Sequence, residues 1–71
     1  MLEYDYFDGD HFITFYLIEV DERNNEITLV ISEQGKITQV TFELKEKNGW
    51  RYFEFGIYAD KIYLDEFEEA A

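Results

Sequence analysis

The chain has 71 residues, 17 of them Asp or Glu against six Lys or Arg; its formal net charge is −11 and 20% of its residues are aromatic. This charge argues against direct binding to nucleic acid or to an anionic membrane. The absence of cysteine excludes disulfides and thiolate metal sites. An acidic disordered chain would hold few aromatic residues. The sequence therefore predicts a single small folded domain over residues 1–71, without signal peptide or membrane span and with a cytoplasmic location.

Turn residues recur at short intervals and separate segments rich in Ile, Val, Thr, Phe and Tyr, a pattern typical of all-β proteins. The first turn is Asp8-Gly9, a dipeptide that favours a two-residue hairpin loop. Closing that loop predicts three facing pairs: Tyr6 with His11, Tyr4 with Ile13, and Leu2 with Phe15.

The second segment, 11–20, is apolar on both faces of a strand. One face holds Ile13, Phe15 and Leu17, and the other holds Phe12, Tyr16, Ile18 and Val20. A strand covered on both sides is expected inside a barrel or at an interface. The third segment, 26–32, alternates regularly and places Ile27, Leu29 and Ile31 on one face.

A second hairpin is predicted at Asn48-Gly49. Its register sets apolar residues against each other: Leu44 opposite Phe53, Phe42 opposite Phe55, and Val40 opposite Ile57. Nearer the turn, the same register pairs Glu46 with Arg51 and Lys45 with Tyr52, and further out it pairs Gln39 with Tyr58.

The last segment has two interpretations. Ile62 and Leu64 fit one face of a strand after a turn at Ala59-Asp60, whereas Ala59, Ile62, Tyr63, Phe67 and Ala70 fit a helical stripe. Acidic residues at the C-terminus of such a helix would oppose its dipole, which favours the strand. We therefore predict an all-β fold, an antiparallel meander of five to six strands forming a bent sheet or a partly closed barrel. The alternative is a β-sheet with a C-terminal helix from about residue 59.

No catalytic motif is present in the sequence. His11 is the only histidine and Ser32 the only serine, and neither has the neighbours of a catalytic dyad or triad. We interpret His11 as a strand residue facing Tyr6 rather than as a base or a ligand. Asp5, Asp8 and Asp10 surround a glycine, but their spacing does not match a Ca²⁺ loop. The sequence thus predicts neither enzymatic activity nor a metal site or cofactor.

The acidic residues are concentrated near the two ends of the sequence. Residues 1–35 contain nine acidic residues and one basic residue, and four more acidic residues fall between positions 65 and 69. If the first and last strands lie together, eight carboxylates would form one field: Glu3, Asp5, Asp8, Asp10, Asp65, Glu66, Glu68 and Glu69. Such a field predicts an acidic interaction domain, an inhibitor or nucleic-acid mimic that occupies the basic surface of a nucleic-acid-binding protein.

A second hypothesis treats the charge as a means to solubility. The chain would then be a structural or adaptor module, or one subunit of a homodimer, that associates through aromatic surface. Tyr16 and Tyr52 are the expected contact residues, and Tyr52, Tyr58 and Trp50 are expected to be exposed.

Overall fold

The computed structural model describes residues 1–70. It contains eight β-strands and one 3₁₀ helix of three residues, Leu64–Glu66. The strands are β1 (Leu2–Phe7), β2 (Phe12–Asp21), β3 (Glu26–Glu33), β4 (Lys36–Glu43), β5 (Lys45–Lys47), β6 (Trp50–Phe55), β7 (Asp60–Tyr63) and β8 (Glu68–Glu69). Within this range, no helix has the length and apolar character needed to cross a membrane.

The strands form two antiparallel sheets, one of five strands in the order β4-β3-β2-β1-β8 and one of three in the order β5-β6-β7. The all-β prediction is confirmed, although the sheets do not close into a barrel. The alternative of a helix from residue 59 is wrong. Instead β7 pairs with β6, which sets Ile62 opposite Phe53 in the core and brings the ring centroids of Tyr52 and Tyr63 within 5.2 Å, with the ring planes tilted by 47°.

The hydrophobic core lies between the two sheets. Phe15, Ile27 and Leu29 of the large sheet and Phe53 of the small sheet are fully buried. The Phe15 ring meets those of Phe53 and Phe55 edge to face, at centroid distances of 5.6 and 4.9 Å. Each such aromatic pair adds about 0.5–1.5 kcal/mol beyond the burial of its area. Aromatic side chains of the core therefore join the two sheets.

The first hairpin differs in register from the prediction. Tyr6 lies opposite Ile13 and Tyr4 opposite Phe15, a shift of two residues from the predicted pairs. A two-residue type I′ loop needs positive φ at both central residues, but here only Gly9 has one, 101°. The Asp8 side chain instead accepts hydrogen bonds from the backbone N–H of Asp10 and His11, at 2.8 and 2.9 Å. These bonds hold a longer turn. A shift of two residues leaves every side chain on its predicted face.

The predicted register of the second hairpin is correct near the turn and wrong further from it. Asn48 and Gly49 both have positive φ, and Lys45 lies opposite Tyr52 and Glu46 opposite Arg51 as predicted. The ladder stops at Leu44, whose N–H donates to the carbonyl of Asn25 at 2.8 Å. The remaining predicted pairs do not form, because β4 pairs with β3 instead, with Val40 opposite Leu29 and Phe42 opposite Ile27.

A β-bulge in β2 changes the face of its last residues. The register with β3 shifts between Leu17 and Glu19, so that Leu17 and Val20 both pack against the core. The prediction that Val20 shares the outer face with Ile18 is therefore wrong, whereas Ile27, Leu29 and Ile31 share the core face of β3 as predicted.

Candidate interaction surface

The two sheets differ sharply in charge. The strands of the five-stranded sheet carry nine acidic residues and one basic residue. Those of the three-stranded sheet carry three acidic and four basic residues. Two of the basic side chains of the small sheet form ion pairs, Lys45 with Glu54 at 2.5 Å and Arg51 with Glu22 at 2.7 Å. The excess negative charge therefore lies on the large sheet.

The pairing of β1 with β8 gathers carboxylates at one edge of the large sheet. Glu3 lies opposite Glu68, and Leu2 opposite Glu69. Phe67, which precedes β8, is buried against Tyr4 with ring centroids 5.6 Å apart, and this contact holds the short strand in place. We call the resulting surface the acidic edge; its carboxylates, which line one groove of about 330 Å³, are Glu3, Asp5, Glu66, Glu68 and Glu69.

Few cations accompany these carboxylates. Among residues 1–70, no Lys or Arg nitrogen lies within 4.0 Å of the acidic edge. The amino group of Met1 lies 2.6 Å from Oε1 of Glu69, and Oγ1 of Thr14 donates to Asp5 at 2.8 Å. Burial, and then the nearby charge of Glu66, raises the pKa of Tyr4. Tyr4 therefore stays neutral beside the carboxylates at physiological pH.

The other three acidic residues of the predicted field do not line the groove of the acidic edge, and one field of eight carboxylates stays a prediction. Asp8 and Asp10 belong to the β1–β2 turn, beyond the end of β1 at Phe7. Asp65 lies next to Glu66 in the 3₁₀ helix and lines a second groove with Glu66 and Lys47.

The two predicted aromatic contact residues have different environments. Tyr16 is half-buried on the outer face of the large sheet, directly opposite Glu3 of the acidic edge. Tyr52 is buried, and Lys61 lies over its ring at 5.7 Å. The expectation that Tyr52 is exposed is therefore wrong, and its ring is not available to a partner. Tyr58 and Trp50 are exposed as expected.

A second group of polar side chains lies at the opposite end of β1. Nε2 of His11 is 2.6 Å from Oε2 of Glu33 and 3.5 Å from Oδ2 of Asp8, and its Nδ1 is 3.3 Å from Oδ2 of Asp10. The carboxylates of Glu33 and then Asp10 raise the pKa of His11. Backbone N–H groups of His11 and Asp10 lower the pKa of Asp8. We call Asp8, His11 and Glu33 the turn cluster.

The turn cluster corrects the prediction for His11, which does not lie opposite Tyr6. Asp5 belongs to the acidic edge instead, so the three aspartates around Gly9 do not converge. The sequence did not identify Glu33 as a neighbour of His11, because the Asp8-Gly9 dipeptide gives no sign of the longer turn. A two-residue turn at this dipeptide would set Tyr6 opposite His11. Ser32 faces away from the cluster, paired with Thr14 and Ile37 on the outer face.

Comparison with known proteins gives no family to which the chain can be assigned. No protein-family model, no curated protein and no solved structure matches it significantly.

Proposed function

We propose that this chain is a non-enzymatic, cytoplasmic interaction domain whose acidic edge binds the basic surface of a nucleic-acid-binding protein, as an inhibitor or nucleic-acid mimic. The observation that carries the proposal is the pairing of Glu3 with Glu68 on neighbouring strands, with no Lys or Arg nitrogen of the described residues within 4.0 Å of either carboxylate. Like charges directly opposite each other destabilise a sheet. A basic partner would relieve that cost.

The spacing of the carboxylates supports the same proposal. Glu3 and Asp5 follow each other on one face of β1, about 6.6 Å apart along the strand, which is roughly twice the 3.4 Å rise per nucleotide of one DNA strand. Glu68 adds a second row one strand away, about 4.8 Å from β1. Arginine and lysine side chains that contact every second phosphate along the axis of a DNA strand would meet carboxylates at similar intervals.

The unequal charge of the two sheets also supports the proposal, because it favours one side of the molecule for a basic partner. Because the small sheet is nearly neutral and the large sheet strongly negative, a basic partner is attracted to one side of the molecule. Tyr16, beside Glu3, supplies an aromatic ring at the rim of the acidic edge. Aromatic side chains next to complementary charge are common at protein interfaces.

The proposal is tested with two variants of equal net charge. The first replaces Glu3, Asp5, Glu66 and Glu68 by their amides, and the second replaces Glu19, Glu26, Glu43 and Glu46. Each variant and the wild type are immobilised and exposed to nuclease-treated lysate, then eluted with a salt gradient. Basic nucleic-acid-binding proteins should be retained by the wild type and by the second variant, and lost by the first. Equal retention by both variants would show that net charge alone binds them.

A second candidate function, self-association, is favoured by the outer face of the large sheet. A shallow apolar groove there is lined by Tyr16, Ile18, Val30 and Ile37, together with Met1. It adjoins β4, which no other strand within residues 1–70 pairs on its outer side. Only the two ends of β4 are charged, and a long edge without central charges is a template for pairing with another strand. A homodimer would join two such edges.

Ile37→Lys tests this candidate, because Ile37 is 74% exposed on β4. Ile57→Lys is its matched control, since Ile57 is 91% exposed at the tip of the β6–β7 loop. If the chain is a dimer through β4, light scattering should show dimers for the wild type and the control and monomers for Ile37→Lys. A monomeric wild type at high concentration would exclude the homodimer.

A further inference from the structure

We propose that the turn cluster is a binding site for one divalent transition-metal cation of the Zn²⁺ type, with Asp8, His11 and Glu33 as its protein ligands. This site is separate from the acidic edge and does not rest on the function proposed above.

Three neighbouring strands bring the ligands together. Asp8 follows β1, His11 precedes β2, and Glu33 ends β3. The register that pairs Tyr6 with Ile13 sets Asp8 opposite His11. The register that pairs Thr14 with Ser32 sets Glu33 opposite Ile13, two residues from His11 and on the same face. The ligand atoms therefore converge because strand pairing on both sides of the β1–β2 turn fixes the positions of the turn residues and of Glu33.

The distances suit a small tetrahedral ion. Zn–N and Zn–O bonds of about 2.0–2.2 Å place the ligand atoms of a tetrahedral site about 3.4 Å apart. The observed separations from His11 Nε2 are 3.5 Å to Asp8 and 2.6 Å to Glu33, and the three ligand atoms all lie within 4.8 Å of one another. A movement of Glu33 by less than about 1 Å would open the site to these bond lengths.

The remaining atoms of the cluster orient the ligands. Oδ1 of Asp8 is held by the N–H groups of Asp10 and His11, which leaves Oδ2 directed at the imidazole. Nδ1 of His11 is directed at Asp10, so a proton on Nδ1 can be donated there while Nε2 binds the cation. Metal-binding histidines are usually oriented by a carboxylate in this way.

The ligand set selects the class of cation. Ca²⁺ and Mg²⁺ prefer oxygen ligands only, whereas an imidazole favours Zn²⁺ and its neighbours. Three protein ligands leave a fourth position of a tetrahedral ion for water. Asp8 and Glu33 also line a cleft of about 330 Å³ between the ends of the sheets, walled by Tyr6, Phe55 and Tyr58. The cleft gives the ion access to solvent.

The first experiment needs no variant. Because His11 is the only histidine and the chain has no cysteine, its imidazole ¹⁵N signals report this site alone. Titration with ZnCl₂ should shift the Nε2 signal and saturate at one equivalent, while CaCl₂ and MgCl₂ should leave it in place. An Nε2 signal that does not move with Zn²⁺ would overturn the proposal.

Variants then assign the ligands by calorimetry with ZnCl₂. His11→Gln and Glu33→Gln should each weaken binding more than about tenfold, and Asp10→Asn, which acts through the imidazole, by about 10–100-fold. Glu26→Gln removes the same charge at the opposite end of β3 and should change affinity by less than about twofold. Equal weakening by Glu33→Gln and Glu26→Gln would show that Zn²⁺ responds only to net charge, and would contradict the site.

Discussion

Glu3 and Glu68 face each other across the β1–β8 ladder, two carboxylates on directly opposite positions of antiparallel strands. The ladder continues past β8, where the N–H of Ala70 donates to the carbonyl of Met1 at 3.0 Å. A sheet edge that bears like charges is protected against pairing with other sheets. The same charges cost folding stability, and that cost can be measured.

Glu68→Gln should stabilise the fold. The change removes repulsion across the ladder and should raise the free energy of unfolding by about 0.2–1 kcal/mol, measured by urea denaturation. The gain should shrink at high salt, because exposed charges are screened.

The matched control is Glu46→Gln, which also removes one exposed carboxylate from a strand. Glu46 lies opposite Arg51, so its loss should leave stability unchanged or slightly lower. A similar gain in both variants would mean that net charge, and not the Glu3–Glu68 pair, limits stability.

Phe53→Ala should be severely destabilising. Phe53 is fully buried, and its ring stacks on Phe42 at 5.1 Å and meets Phe15 at 5.6 Å. Removing a buried phenylalanine ring costs about 3–5 kcal/mol, much of the total stability of about 4–11 kcal/mol typical for a chain of this length. Phe12→Ala, at a position 64% exposed, should cost less than about 1 kcal/mol. Urea denaturation compares them, and equal losses would contradict a core between the sheets.

Ionisation of Tyr6 should lower the free energy of unfolding at high pH. Its hydroxyl donates to Asp60 across the two sheets, and this hydrogen bond is the main cause that raises its pKa to about 12. An unfolded tyrosine ionises near pH 10. The stabilisation from Tyr6 is therefore complete below about pH 10 and is lost as pH rises towards 12.

The measurement compares the free energy of unfolding of the wild type with that of Tyr6→Phe between neutral pH and about pH 12. The advantage of the wild type should be constant up to about pH 10 and then decrease. Asp60→Asn should flatten this decrease, because the carboxylate charge is gone. An advantage that grows with pH would have the wrong sign for this hydrogen bond.

Gly49→Ala should weaken the β5–β6 hairpin. Gly49 has φ of 84° with no atom within 4 Å of an added Cβ, so the cost comes from backbone strain and not from a clash. A residue with a Cβ loses about 1–2 kcal/mol in that conformation. Asn48→Gly should be tolerated, since glycine also adopts the φ of 53° found there. Equal damage from both changes, by urea denaturation, would show that the Asn48 side chain holds the turn.

The two hairpins show what the sequence could predict. Strand identity and facing follow from alternation, and the Asn48-Gly49 turn follows from positive φ at both residues. Asp8-Gly9 has the same appearance in sequence, yet the carboxylate of Asp8 bonds to the backbone and lengthens the turn. A dipeptide of Asn or Asp followed by Gly is therefore compatible with either a two-residue turn or a longer one. Register at that turn could not be derived from the sequence.

Of the two candidate sites, one could be predicted from the sequence and the other could not. The acidic edge was expected from the clustering of acidic residues at both ends of the sequence, and β1–β8 pairing brings Glu3 and Glu68 together. The turn cluster was not expected, because Glu33 is distant in sequence from His11 and only the observed register brings them together. The interruption of the second ladder at Leu44 likewise depends on a long-range bond, to Asn25.

The most direct test of the acidic edge as a nucleic-acid mimic is competition on one captured basic partner. A short labelled DNA duplex is bound to the purified partner, and the wild-type chain is titrated in while fluorescence anisotropy reports the bound duplex. If the acidic edge mimics nucleic acid, the wild type should displace the duplex, and so should the control variant with amides at positions 19, 26, 43 and 46. The variant with amides at positions 3, 5, 66 and 68 should leave the duplex bound. A duplex that stays bound while the wild-type chain also binds the partner would contradict the proposed mimicry.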